Sequence, residues 1–198
     1  NMAPELFSVE FFKEFRRIIK DDGIVATYTS SAPVREGFID AGFYIGLGPI
    51  FGRKQGGTLA SPNPSMLEHS LPRNDEIRIA LSDVGIPFRD PGLNGSSEDI
   101  LERRTEERHN ARHNTRISSA VKTPIFLGDE MDDEKLKRRV ERNLAKMNIP
   151  STTSDEARYI VEVEDDYHEK QDGENNSTNR ILEMKKRLKK VKNEEIRF

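Results

Sequence analysis

Cysteine and tryptophan are absent from this 198-residue chain, and apolar residues make up only 34% of it. Without cysteine there can be neither a disulfide nor a zinc–thiolate centre, and nothing points to an oxidising compartment, so a cytoplasmic location is expected. The apolar share falls well short of the roughly 45 to 50% of an ordinary globular domain, which suggests one modest core with charged appendages. No apolar run approaches the about 18 residues of a membrane span. No basic stretch followed by an apolar one marks a signal peptide at the amino terminus.

Chemistry-bearing patterns are scarce as well. No Gly-x-Gly-x-x-Gly opens a helix, and no Gly-x-x-x-x-Gly-Lys-Ser/Thr occurs. Gly46-Leu47-Gly48 and the glycines from Gly52 to Gly57 follow a late strand and read as turns rather than phosphate cradles. Of the four histidines, only His109 and His113 have helical spacing, and Asn110 stands where a zincin would place glutamate. They read as a solvated helix face, and no metal site is expected. Ser30-Ser31 lacks the Gly-x-Ser-x-Gly frame of a hydrolase elbow. The pairs Asp21-Asp22, Asp132-Asp133 and Asp165-Asp166 sit in turn, cap or charge-run settings. The residues by themselves identify no catalytic group.

What the chain has in abundance is charge, and the charge is segregated. Residues 151–175 hold nine Asp/Glu against Arg158 and Lys170, net −7, whereas residues 177–198 hold eight Lys/Arg against three Glu, net +5. Such blocks are ordinarily solvated tails or exposed helices, with nucleic-acid contact by the basic block as the sharper reading. Residues 151–178, rich in acid and poor in aromatics, are expected to be mobile. Residues 179–191 place Ile181, Leu182, Leu188 and Val191 among lysines, a basic amphipathic helix.

Ordered patterning concentrates in residues 1–61. Ser8 is an N-cap, with Phe7 and Phe12 spaced for a hydrophobic staple, and Phe11, Phe12, Phe15 and Ile19 recur at helical spacing. Asp21-Asp22-Gly23 turns the chain into Ile24–Thr29, an apolar run without alternation that reads as a buried, parallel strand. Ser31, Ala32 and Pro33 start a second helix ending at Gly42, Phe43–Gly46 is a strand, and Thr58–Ala60 a closing strand. The loop between these two strands carries Arg53 and Lys54. Helix, strand, helix, strand, strand is the pattern of an α/β sheet's second half. Residues 5–61 are therefore expected to be the only compact α/β unit, with Phe12, Phe15, Ile24, Ala26 and Phe43 facing its core. Further on, helices are read over Asn74–Val84, Ser96–His113 and Asp132–Met147, the last with Leu136, Val140 and Leu144 at spacing four.

Four segments in this order carry a resemblance: Ala3-Pro4-Glu5-Leu6-Phe7-Ser8 with Glu10-Phe11-Phe12, Asp22–Thr29, Pro33-Val34-Arg35 with Ala41-Gly42-Phe43, and Gly48-Pro49-Ile50-Phe51-Gly52-Arg53-Lys54. Together they resemble the MnmC-like methyltransferase family over about the first third of the chain. Phe7 stands where the family has Trp, and Ala3 where it has Asn. The resemblance implies the carboxyl-terminal half of a Rossmann-like class I methyltransferase sheet, an α/β fold, followed by a charged, helical and partly disordered tail. It divides the chain into a partial methyltransferase domain (1–65), a helical charged extension (66–150), an acidic disordered linker (151–178) and a basic helix (179–198).

The family's activity is transfer of a methyl group from S-adenosylmethionine to the amine of 5-aminomethyl-2-thiouridine at the wobble position of tRNA. The resemblance therefore implies S-adenosylmethionine as cofactor and tRNA as partner. The family's glycine-rich cofactor loop has no counterpart in this chain, so a fragment, or a chain completed by a partner half, is expected, inactive alone. Tyr28 and Thr29, ending a strand at the carboxyl edge where open α/β sheets bind ligands, are the expected pocket residues. Arg53 and Lys54 are the expected phosphate contacts. The competing expectation is a non-catalytic RNA-binding or protein-interaction protein working through its charged helical tail.

Overall fold

The first helix, α1 (Val9–Ile18), starts where Ser8, in extended conformation, accepts the Phe11 N–H on its side chain at 3.2 Å. The Phe7 and Phe12 rings meet edge to face at 6.5 Å across this start, which is the staple read from the sequence. Loss of the cap in Ser8→Ala should cost about 1 kcal/mol, read as an earlier chemical-denaturation midpoint with an unchanged slope.

A computed structural model describes residues 3–50, 56–118, 125–163 and 175–196. After α1 come β1 (Val25–Thr27), α2 (Ala32–Asp40), β2 (Tyr44–Leu47) and β3 (Thr58–Ser61), the order read from the sequence. Gly42 adopts φ +88° just past α2, a left-handed turn that glycine makes at little cost. The sheet order is β1-β3-β2 with both pairings antiparallel, so β1 and β2 run parallel to each other with β3 inserted between them. Phe12 on α1 stacks on Phe38 of α2 at 3.9 Å, and Phe38 meets Phe43 edge-on at 5.6 Å. Burial of each ring is worth roughly 1.5 to 3 kcal/mol, and this aromatic column holds both helices against the sheet.

The two outer edges of the sheet differ. On β2, the Ile45 N–H donates to Thr178 Oγ1 at 2.9 Å and the Leu47 N–H to the His69 carbonyl at 2.8 Å. That edge is closed. Among the described residues no strand pairs with the outer edge of β1, and Ile24 and Tyr28 beside it are 45% and 72% exposed.

Among the described residues five α-helices follow: α3 (Arg73–Leu81), α4 (Ser97–Ala111), α5 (Glu134–Leu144), α6 (Asp155–Val161) and α7 (Ser177–Lys192). Ser96 and Asp99 form a reciprocal capping box at α4, and Ile100 is its buried anchor. None of the described helices is long and apolar enough to cross a membrane.

Several expectations are corrected here. Of the run Ile24–Thr29, Val25–Thr27 forms an edge strand paired antiparallel, not a buried parallel one; its apolar composition states what it can bury, not what covers it. Ile24 and Ala26 are exposed and Phe15 is half-buried, so of the five expected core residues only Phe12 and Phe43 are fully enclosed. The described strands all lie within residues 5–61, but this α/β unit is not packed by itself, because one apolar cluster continues from Phe12 through Leu81, Leu144 and Ile160 to Val191. Within the stretch expected to be mobile, α6 buries Ala157, Ile160 and Val161, and Ser177 and Thr178 are buried in the first turn of α7; residues 164–174 lie outside the described residues. The basic helix α7 is a core element. Its buried stripe is Ile181, Met184, Leu188 and Val191, at helical spacing, while Leu182 is 47% exposed.

Candidate functional site

At the carboxyl end of β1, residues Ala26, Thr27, Tyr28, Pro49, Gly57 and Thr58 border a cavity of about 160 Å³. Two of these residues, Gly57 and Thr58, are held from behind by one buried cation. Arg35 lies on α2 among Val34, Phe38 and Ile39, where helical periodicity demands burial, and is 1% exposed. A guanidinium there must find partners for its donors. Its Nε donates to Thr58 Oγ1 at 2.9 Å, one terminal nitrogen to Asp75 Oδ2 at 2.6 Å and the other to the Gly57 carbonyl at 3.3 Å. The Thr58 hydroxyl in turn donates to the Thr29 carbonyl at 2.8 Å. Arg35 thus fixes the end of β1, the start of β3 and the first turn of α3 relative to one another.

Close backbone approaches shape the same corner. A Cβ on Gly57 would lie 2.2 Å from the Thr27 carbonyl oxygen, and one on Gly56 2.3 Å from that of Gly48. Both obstacles are backbone, so neither can swing aside. Gly57→Ala should therefore destabilise by about 1 to 3 kcal/mol through strain and widen the β1–β3 separation, visible as faster amide exchange at Thr58 and Ala60.

The four residues expected from the sequence fare differently. Tyr28 borders the cavity and is 72% exposed. Thr29 follows it, but its hydroxyl accepts the Ser31 N–H at 3.1 Å and its carbonyl the Thr58 hydroxyl, so its polar groups are committed to the scaffold. Arg53 and Lys54 lie outside the described residues. The sequence did not single out Arg35, Thr58 and Asp75 for this corner. The usable signal was a cation on the apolar face of α2.

Glu10, in the segment that carries the resemblance, is a structural anchor. Burial pushes its carboxyl up, but the Asp90 N–H, its own backbone N–H and Arg89 outweigh this and hold it below the usual glutamate range. Among the described residues no three or more His, Asp or Glu are grouped to hold a metal ion.

Residues 1–63 match the S-adenosyl-L-methionine-dependent methyltransferase family. The chain is 37% identical over 105 residues to the uncharacterized protein MJ0670 of Methanocaldococcus jannaschii, covering 53% of this chain and 30% of that protein. It is 40% identical over 58 residues to the tRNA 5-methylaminomethyl-2-thiouridine biosynthesis bifunctional protein MnmC of Ralstonia nicotianae, covering 29% of this chain and 9% of that one. The solved structure of MnmC2 from Aquifex aeolicus superposes with a TM-score of 0.50 at 28% identity, covering 55% of this chain and 35% of the other. The chain thus spans about a third or less of each of these relatives.

Proposed function

We propose, from the match of residues 1–63 to the S-adenosyl-L-methionine-dependent methyltransferase family, that this chain forms the substrate-side half of a Rossmann-like tRNA methyltransferase. The observation that carries the reading is the asymmetry of the sheet. β2's outer edge is closed by Thr178 and His69, whereas no described strand pairs with β1's outer edge. An open edge flanked by apolar side chains is a template for further strands. Strands added there would extend the sheet and bring their carboxyl ends beside the Tyr28 cavity, where open α/β sheets bind ligands.

The described residues do not fit the cofactor themselves. The cavity of about 160 Å³ is smaller than the roughly 300 to 1,000 Å³ of typical small-molecule sites. Gly57, on its wall, already lies against the backbone of Thr27. The cofactor would therefore be held chiefly by the added strands. On this side Tyr28 would pack against the substrate base and Thr29 would hold the strand end, while Arg53 and Lys54 would meet tRNA phosphates. The substrate would be the amine of 5-aminomethyl-2-thiouridine at the wobble position, as in the family. Alignment of that amine would dominate the rate, and Arg35 acts here as a positioning residue through Thr58. The division of the chain near residue 65 belongs to the same proposal.

Calorimetry with S-adenosylmethionine tests the reading. The chain alone should bind with no affinity in the micromolar range, and joining the amino-terminal part of the Aquifex aeolicus protein ahead of Ala3 should restore such binding. Micromolar binding by the chain alone, or none by the joined protein, would overturn it.

A further inference from the structure

The charged carboxyl-terminal third builds a second feature that the methyltransferase reading does not use. The turn after α4, Asn114–Arg116, meets one face of α7, and the two enclose a cleft of about 280 Å³ bordered by Asn114, Thr115, Arg116, Lys185, Lys189 and Lys192. These residues come from segments about 70 positions apart in sequence, so the convergence is a product of folding rather than of a lysine-rich stretch. Leu188, 1% exposed, is the sole apolar side chain among those bordering it. Lys192 Nζ is held by Asn114 Oδ1 at 2.9 Å, which fixes one cation across the cleft.

The charge balance is positive. Of the acidic groups at this face, Glu36 lies behind it, 2% exposed, and is shared by Arg116 and Lys185. Glu194 and Glu195 at the end of α7 are turned to Asn148 and Asn193. Set against Glu36, Glu194 and Glu195, the cations Arg116, Lys185, Lys189 and Lys192 leave one positive charge in excess, and Lys189 and Lys192 form no ion pair among the described residues.

We propose that this cleft binds the phosphodiester backbone of RNA, through residues lying outside the segment 1–63 that matches the family. The proposal rests on the tRNA reading above for the identity of the polyanion. Lysine ammonium groups, an amide and a hydroxyl are the donors that position phosphates without reading sequence. An interface for a folded protein would need an apolar or aromatic anchor, which this cleft lacks.

Since α7 is part of the core, deleting it would unfold the protein, and point neutralisation is the appropriate test. Binding of bulk tRNA to the full chain, without cofactor, is followed by fluorescence anisotropy from 50 to 300 mM salt. Lys189→Gln with Lys192→Gln should lower affinity about tenfold near 0.1 M salt. It should reduce the slope of log K against log salt by about 1.5, at roughly 0.7 to 0.9 for each phosphate that is no longer neutralised. Lys189→Gln alone, at an exposed position, should give about half the slope change and guards against a folding artefact. Lys135→Gln with Arg138→Gln, an equal charge change on α5 outside the cleft, should leave the slope unchanged. An unaltered slope in the cleft variant, an equal loss in the α5 variant, or no tRNA binding by the parent chain at 50 mM salt would each overturn the proposal. Because binding is read without methyl transfer, failure of the methyltransferase reading would leave this result standing, and an unaltered slope in a working methyltransferase would sink the cleft alone.

Discussion

Replacing Arg35 by alanine should lower the unfolding free energy by about 3 to 5 kcal/mol, the range for removing one partner of a buried ion pair. For a chain of this length that corresponds to a fall in melting temperature of roughly 6 to 20 °C. The loss combines three effects. Thr58, fully buried, loses a hydrogen bond, the Gly57 carbonyl keeps only the Gly48 N–H of its two donors, and Asp75 loses its ion-pair partner at a position only 27% exposed. Arg35→Lys should recover only part of this, because one ammonium cannot serve Thr58, Gly57 and Asp75 in the fork geometry of a guanidinium. Functionally the lysine variant should be the more telling. Its fold should persist while the Thr58–Thr29 connection loosens, so the completed enzyme should lose kcat more than it loses tRNA affinity. Equal stability of Arg35→Ala and the parent in thermal unfolding would remove Arg35 from its role as the clamp of this corner.

A loss of similar size is expected on the other side of the core. Arg180 on α7 grips Glu76 on α3 through two parallel bonds, at 2.6 and 3.0 Å, with both side chains less than a tenth exposed. Arg180→Ala should cost about 3 to 5 kcal/mol, because Glu76 stays buried and charged without its partner. The double change Arg180→Met with Glu76→Leu should lie within about 2 kcal/mol of the parent, since both charges leave together and apolar volume takes their place. A double variant as unstable as Arg180→Ala would show that shape, not charge pairing, joins the two helices. Denaturant unfolding of the single and double variants separates the two cases.

Arg35 and Arg180 also mark what the sequence concealed. Local signals were readable where one side-chain type served one purpose. Ser8 ahead of Phe11 and Phe12 announced α1, Pro33 the first turn of α2, and Val140 with Leu144 the inner face of α5, and each stands as read. Where a charged residue fills a core position, the pattern fails. On α7 the lysines and Arg180 and Arg187 suggested a solvated helix, yet Met184 completes a buried stripe and both arginines are inside. Arg187 has one readable partner, Glu183 at i,i+4 spacing, but the partners that bury the two arginines, Glu76 for one and the carbonyls of Tyr159 and Glu162 for the other, are distant in sequence. No periodicity within one helix can reveal them. Strand Ile24–Thr29 failed for a different reason. An apolar run fixes a strand's tendency to be covered, but coverage depends on what pairs with it, and the described residues supply a partner on one edge only. For the candidate site, Tyr28 was legible as a strand-end residue. The clamp behind it was not, because it depends on a helix, a strand and a third element meeting in space.

The most direct test of a tRNA methyltransferase is the nucleoside product itself. The chain, completed with the amino-terminal part of a family methyltransferase, would be incubated with S-adenosylmethionine and tRNA bearing 5-aminomethyl-2-thiouridine. The digested nucleosides would then be weighed by mass spectrometry. This nucleoside should gain the mass of one methyl group, and Tyr28→Ala should slow the gain at unchanged cofactor affinity. A completed protein that binds the cofactor yet leaves every tRNA nucleoside at its original mass would contradict the tRNA methyltransferase reading.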